Sequence, residues 1–131
     1  MSEDKAMLDH VSIGVRDLAA ARRFYDSVLS TLGYACLSES PAALGYGREV
    51  PRFWVSLASK PVPADRDTGL HFCFAAKQRS DVDAFHAAAI RAGGSDNGQP
   101  GLRKDYGDSY YAAFIVDPDG YRIEAFCDQV D

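Results

Sequence analysis

The chain has 131 residues, 47% of them hydrophobic and 25% charged, a balance that suits one soluble domain over residues 1–131 and leaves too little length for two. Fourteen lysines and arginines against nineteen aspartates and glutamates give a net charge of −5, and no basic run is long enough to neutralise a row of phosphates, which excludes nucleic acid as the expected partner. The opening MSEDKAMLDH lacks an apolar core, and the longest apolar run, Tyr110–Val116, has seven residues, so neither a signal peptide nor a membrane span is expected.

In chain order, Val11, Ile13 and Val15 alternate with His10, Ser12 and Gly14, which predicts a strand with one apolar and one small or polar face. Asp17 is placed to cap a helix whose apolar stripe is Leu18, Ala21, Phe24, Tyr25, Val28, Leu29 and Leu32, stopping at Gly33. Strands are predicted at Tyr34–Leu37, Leu44–Gly47 and Phe53–Leu57. A second strand led by histidine sets Phe72 and Phe74 against His71 and Cys73. Ser80 and Asp83 then form a capping box for a helix carrying Val82, Phe85, Ala89 and Ile90. Residues Ser95 to Ser109 read as a binding loop or lid, with a weak strand near Gly101–Arg103. Tyr110–Val116 and Tyr121–Cys127 form a hairpin closed by Asp117-Pro118-Asp119-Gly120, whose residues suit a type I turn. Cys36, Cys73 and Cys127, odd in number and each in an apolar stretch, read as buried reduced thiols of a cytoplasmic protein.

A shift of 61 residues lays His10 on His71, Phe24 on Phe85, Tyr25 on His86, Leu29 on Ile90 and Gly33 on Gly94. Each half therefore reads as strand, helix, three strands, the first over about 8–60 and the second over about 68–128. The expected fold is α+β: two paired βαβββ modules forming a curved mixed sheet around a concave metal and substrate cavity. On the final strand, alternation sends Ile123, Ala125 and Cys127 to the apolar face and Arg122, Glu124 and Phe126 to the other. If the two modules pair into one curved surface, His10, His71 and Glu124 meet on its concave side. Two imidazoles and a carboxylate can chelate a divalent ion, Fe(II), Mn(II), Zn(II) or Ni(II), and leave positions open for Lewis-acid chemistry on an oxygen-bearing ligand. His86, which shares its repeat position with Tyr25, reads as a packing or capping residue and not a ligand.

The run D-H-V-S-I-G-V-R-D-L, the strand G-L-H-F-C-F and the closing D-P-D-G-Y-R-I-E-A resemble the vicinal oxygen chelate superfamily, and the resemblance spans Leu8 to Cys127. It implies paired βαβββ modules, metal positions at His10, His71 and Glu124, and a homodimer. Its branches separate on single residues. Glyoxalase I and the methylmalonyl-CoA epimerase carry a fourth ligand, Glu or Gln, on the last strand of the first module. Here the inward places on that strand fall to Trp54 and Ser56, while Glu49 stands in the preceding loop.

Extradiol dioxygenases share the two-histidine, one-glutamate set. Their tyrosine place is taken here by Phe114, and no histidine follows His86. Fosfomycin thiol transferases are matched by Trp54 and the run Gly107-Asp108-Ser109, although their basic residue beyond the ligand glutamate is missing. Arg103, Tyr106 and Tyr110 complete the expected pocket, and no residue stands out as a general base. The expected activity is that of a glyoxalase-like lyase, isomerase or thiol transferase using one divalent metal on a small molecule. The alternatives are a metal-free sequestering protein of the bleomycin-resistance type and an extradiol dioxygenase.

Overall fold

A computed structural model describes residues 7–130, the Arg66 side chain excepted, so most of the leader reading at positions 1–6 lies outside the described residues. Strand β1 (Val11–Val15) runs into helix α1 (Leu18–Leu29) and then β2 (Ala35–Glu39), β3 (Ala43–Gly47) and β4 (Pro51–Leu57). After a connection through residues 58–70 come β5 (His71–Ala75), α2 (Arg79–Arg91), β6 (Ser95–Leu102), β7 (Tyr111–Val116) and β8 (Arg122–Cys127). The two halves repeat the same order: β1-β4-β3-β2 in one sheet and β5-β8-β7-β6 in the other, with β1 and β5 parallel to their neighbours and the remaining pairs antiparallel. The paired βαβββ architecture is as expected, but within one chain it forms two four-stranded sheets rather than one continuous curve.

The reason lies in what the helices cover. Phe24, Tyr25, Val28 and Leu29 of α1 are at most 1% exposed, and so are Val82, Phe85 and Ala89 of α2. Full burial of a side chain such as Phe or Leu contributes roughly 1.5–3 kcal/mol, so each stripe commits its helix to the apolar face of its own sheet. The two helices then pack on each other, and one core runs through both halves. Asp17 caps α1 as expected, accepting from the Ala20 amide at 3.0 Å, and the chain turns after a short 3-10 segment at Gly33.

Several details differ from the sequence expectation. Helix α2 starts at Arg79, one residue ahead of Ser80, and its cap position Gln78 makes no side-chain bond; Asp83 instead accepts from the Tyr111 hydroxyl at 2.6 Å. Ile90 and Leu57 are 43% and 52% exposed rather than buried in the core. Cys127 is buried, but Cys36 is half-buried and Cys73 exposed. Most of the expected lid is strand β6, paired antiparallel with β7 through two register shifts, and only residues 103–110 form a connecting turn. Pairing with β7 overrides the weak strand preference of Ser95–Leu102.

The Asp117–Gly120 turn closes as expected, with the Gly120 amide on the Asp117 carbonyl at 2.9 Å. Gly120 has φ +97, and a Cβ there would stand 2.7 Å from the Ala64 carbonyl oxygen, so this position requires glycine. The turn also fastens the halves together. Asp117 is buried and accepts from the Tyr25 hydroxyl of α1, and the Tyr121 hydroxyl donates to the Gly14 carbonyl of β1 at 2.6 Å. Among the described residues no helix is long and apolar enough to cross a membrane.

Candidate functional site

The polar face of the second sheet carries a compact cluster. In the β5–β8 register Cys73 lies opposite Glu124 and His71 opposite Arg122, while β7 sets Phe114 opposite Glu124. Strand alternation therefore puts His71, Cys73, Arg122, Glu124 and Phe114 on one side. Glu124 is 2% exposed, and both of its oxygens are engaged: Oε1 lies 2.7 Å from His71 Nε2, and Oε2 accepts from the Tyr110 hydroxyl at 2.6 Å. A carboxylate this buried is costly unless partnered, and here the partners are an imidazole and a phenol facing a cavity. His71 stacks on Phe114 with ring centroids 6.2 Å apart, which steadies the imidazole against the wall.

The surroundings suppress ionisation of the neighbouring acids. Cys73 is exposed as a residue, but its thiol is turned in against Glu124, where local burial reinforced by the Glu124 charge raises it to about 12; the same two causes push the Tyr110 phenol well above its ordinary value. Both groups are therefore hydrogen-bond donors at neutral pH, and Cys73 is a poor nucleophile. A cavity of about 590 Å³ opens beside the cluster, lined by His71, Glu124, Arg122, Asn97, Tyr110 and Phe114, with Tyr106 at its mouth.

Of the residues expected at the pocket, Tyr106, Tyr110 and Phe114 are there. Tyr106 is 66% exposed and packs edge-on against Tyr110. Arg103 holds its guanidinium 5.3 Å from the centre of the Phe114 ring and donates to the Gln99 carbonyl, so it buttresses the wall from outside the cavity lining. Ser109 sits in the turn before β7 and lines neither of the two cavities described here.

Trp54, Ser56 and His10 stand on the polar face of the other sheet. Ser12 and Gly14 of β1 are in register with Trp54 and Ser56 of β4, and the indole lies so close over Gly45 that a Cβ there would stand 2.8 Å from it. His10 is half-exposed, its Nδ1 lies 2.8 Å from Asp9 Oδ2, and Arg52 donates to the Asp9 carbonyl at 2.8 Å. The three expected metal positions therefore do not meet inside one chain: His71 and Glu124 are adjacent and His10 belongs to the other sheet. Among the described residues no group of three His, Cys, Asp or Glu side chains is placed to hold a cation. Glu49 lies in the β3–β4 connection and lines a second groove of about 950 Å³ between the halves, with Tyr46, Phe53, Phe72 and Phe74; this groove also reaches His71 and Cys73, so His71 borders both cavities.

The family model described as the Glyoxalase/Bleomycin resistance protein/Dioxygenase superfamily matches residues 7–125. The chain belongs to that superfamily. A crystal structure of a glyoxalase/bleomycin resistance protein from Albidiferax ferrireducens T118 is similar at 35% identity, with a TM-score of 0.81 over 93% of this chain and 99% of that one. The fosfomycin resistance protein FosX from Mesorhizobium loti, 16% identical, shares the fold with a TM-score of 0.67, covering 99% of this chain and 96% of that one. A Brassica oleracea var. gemmifera protein named "Putative lactoylglutathione lyase" is 32% identical over 127 residues, 93% of this chain. The chain spans 44% of that plant protein.

Within this glyoxalase-superfamily fold, the alternation of the last strand was enough to orient Glu124. It also put Arg122 on the same face without marking it as a cavity residue, and gave no sign of Asn97 in the cavity or of Asp9 and Arg52 beside His10. His86 is a packing residue as expected, 7% exposed and 2.8 Å from Asp96 Oδ1.

Proposed function

We propose that this protein is a glyoxalase-like, divalent-metal-dependent enzyme of lyase, isomerase or thiol-transferase type, acting on a small oxygen-bearing molecule in the cytoplasm as a homodimer. The metal set would be His71 and Glu124 of one chain with His10 of the partner subunit. The observation that carries the reading is Glu124: a fully buried carboxylate held against an imidazole at 2.7 Å, facing a cavity. One nitrogen and one oxygen donor are thereby set side by side on rigid strands, the first two parts of a site that hard and borderline cations accept.

The third donor fits the pairing of two copies. Strands β1 and β5 are both outer strands of their sheets, with His10 just ahead of the first and His71 opening the second. The Asp9 carboxylate takes His10 Nδ1, so Nε2 is the nitrogen that would meet a cation. A bound cation would supply Lewis acidity toward a substrate oxygen. The chain's own residues do the rest: Tyr110 orients the Glu124 carboxylate, Phe114 fixes the His71 ring, and Tyr106 with Phe114 excludes water from an occupied cavity. Three unpaired thiols agree with a reducing compartment.

The test is elemental mass spectrometry of protein purified without chelator or affinity tag, followed by titration with Mn(II), Fe(II), Ni(II) and Zn(II). Near-stoichiometric metal is expected, with affinity lowered at least about tenfold in Glu124→Gln. His10→Ala and His71→Ala should each lose the metal alone and recover part of it when mixed, because a mixed dimer rebuilds one intact set. Failure of the wild type to take up any of the four ions removes the metal reading. What then stands is a sequestering protein of the bleomycin-resistance type, which the aromatic lining of Tyr106, Tyr110 and Phe114 favours.

A further inference from the structure

We propose that Arg122 selects the charge of the substrate, and that the cavity beside His71 and Glu124 takes a small carboxylic acid whose carboxylate pairs with the Arg122 guanidinium. This rests on reading that cavity as the substrate site. Arg122 opens β8 immediately after the Asp117–Gly120 turn and stands opposite His71 in the parallel register. It lines the same cavity as His71 and Glu124.

Its situation differs from that of the other arginines around the two polar faces. Arg52 is bonded to Asp9, Arg48 to the Leu32 carbonyl and Arg103 to the Gln99 carbonyl. Arg122 makes no hydrogen bond or ion pair to any of the described residues, although it is half-buried and Glu124 lies two positions along the same face. Both Glu124 oxygens already face other donors, so that carboxylate is not the guanidinium's hydrogen-bond partner. A guanidinium presents paired N–H groups in a plane and meets a carboxylate through two parallel bonds, so the missing partner has a defined chemistry.

The spacing limits ligand size. Positions 122 and 124 are about 7 Å apart along the strand at roughly 3.3 Å per residue. One small molecule can therefore give a carboxylate to Arg122 and a second oxygen to the His71–Glu124 pair. Phe114 and Tyr106 offer ring faces to an apolar body between or beside these two ends. In a chain with a net charge of −5, an unpaired cation inside the cavity also supplies the local field that draws an anion in.

The experiment is calorimetric titration of the full chain with phenylglyoxylate and with its uncharged amide. The wild type should bind the acid about tenfold tighter than the amide, a difference of about 1.4 kcal/mol. Arg122→Gln should erase that preference while amide binding stays, and Arg122→Lys should keep part of it, with thermal melts confirming that both variants fold. Equal affinity for acid and amide, no binding of the acid, or an undiminished preference in Arg122→Gln overturns the assignment. Mn(II) titration of the same wild-type protein reports on the metal set separately. Metal uptake without acid preference removes the Arg122 assignment alone, whereas acid preference without metal uptake removes the metal reading and keeps Arg122.

Discussion

Positions 25 and 86 are equivalent under the 61-residue shift, and each holds a buried ring bonded to an aspartate, yet the two bonds do opposite work. His86 of α2 meets Asp96 at the start of β6, a tie inside the second half. Tyr25 of α1 meets Asp117 in the β7–β8 turn, a tie between the halves. The contrast shows that a repeated module carries its own scaffold twice, while the joint between the halves depends on residues whose identity is not repeated: the shift sets Tyr25 on His86 and Asp117 on Ser56. Asp117 is the centre of that joint, because its other oxygen accepts the Asp119 and Tyr121 amides at 2.9 and 2.8 Å.

Removing the joint should cost most. Asp117→Ala strands the Tyr25 hydroxyl and two amides in the interior and should lower stability by about 3 kcal/mol in urea denaturation. The pH dependence has a definite sign. Burial raises the Asp117 carboxyl to about 6 from 3.8, against the lowering effect of its Tyr25 and amide bonds. The folded protein therefore holds that proton more tightly than the unfolded chain does. The stability associated with it is complete below pH 3.8 and is lost as pH rises through 6, by about 2–3 kcal/mol from this group alone. Asp117→Asn should flatten that part of the pH–stability curve; an unchanged slope would take Asp117 out of the account.

Smaller effects sharpen the comparison further. Gly120→Ala forces a side chain into a left-handed backbone and against the Ala64 carbonyl, and should cost about 2 kcal/mol by thermal melt. Tyr25→Phe removes one donor from a carboxylate that keeps its two amides, and about 1–2 kcal/mol is expected. Asp96→Ala should be the mildest of the four, because that carboxylate is 44% exposed and water can take its place beside His86. A larger loss for Asp96→Ala than for Tyr25→Phe would reverse the contrast between the two ties.

Much of this molecule is legible in its sequence because alternation and helical spacing report faces directly. The parity of Ile123, Ala125 and Cys127 was enough to turn Glu124 to the polar side, and the shift of 61 was enough to duplicate the topology. Parity says which face a residue occupies but not which sheet that face will meet. His10 and His71 share a parity and stand on different sheets, since the helices pair the two halves through their apolar sides. The composition of Ser95–Leu102 hides β6, whose strand state comes from β7 and not from its own residues. Arg122 was visible as a polar-face residue; its lack of a partner is a property of the assembled fold and has no local signature.

The four outer strands also differ in how they treat a neighbouring chain. Strand β6 carries Pro100 and two register shifts, and β2 has a shift between Cys36 and Ser38, features that spoil the template an outer strand offers to stray peptide. Strands β1 and β5 keep an unbroken register with their inner partners and contain no proline. Protection from stray strand pairing is thus built into two rims and omitted from the two at which His10 and His71 stand.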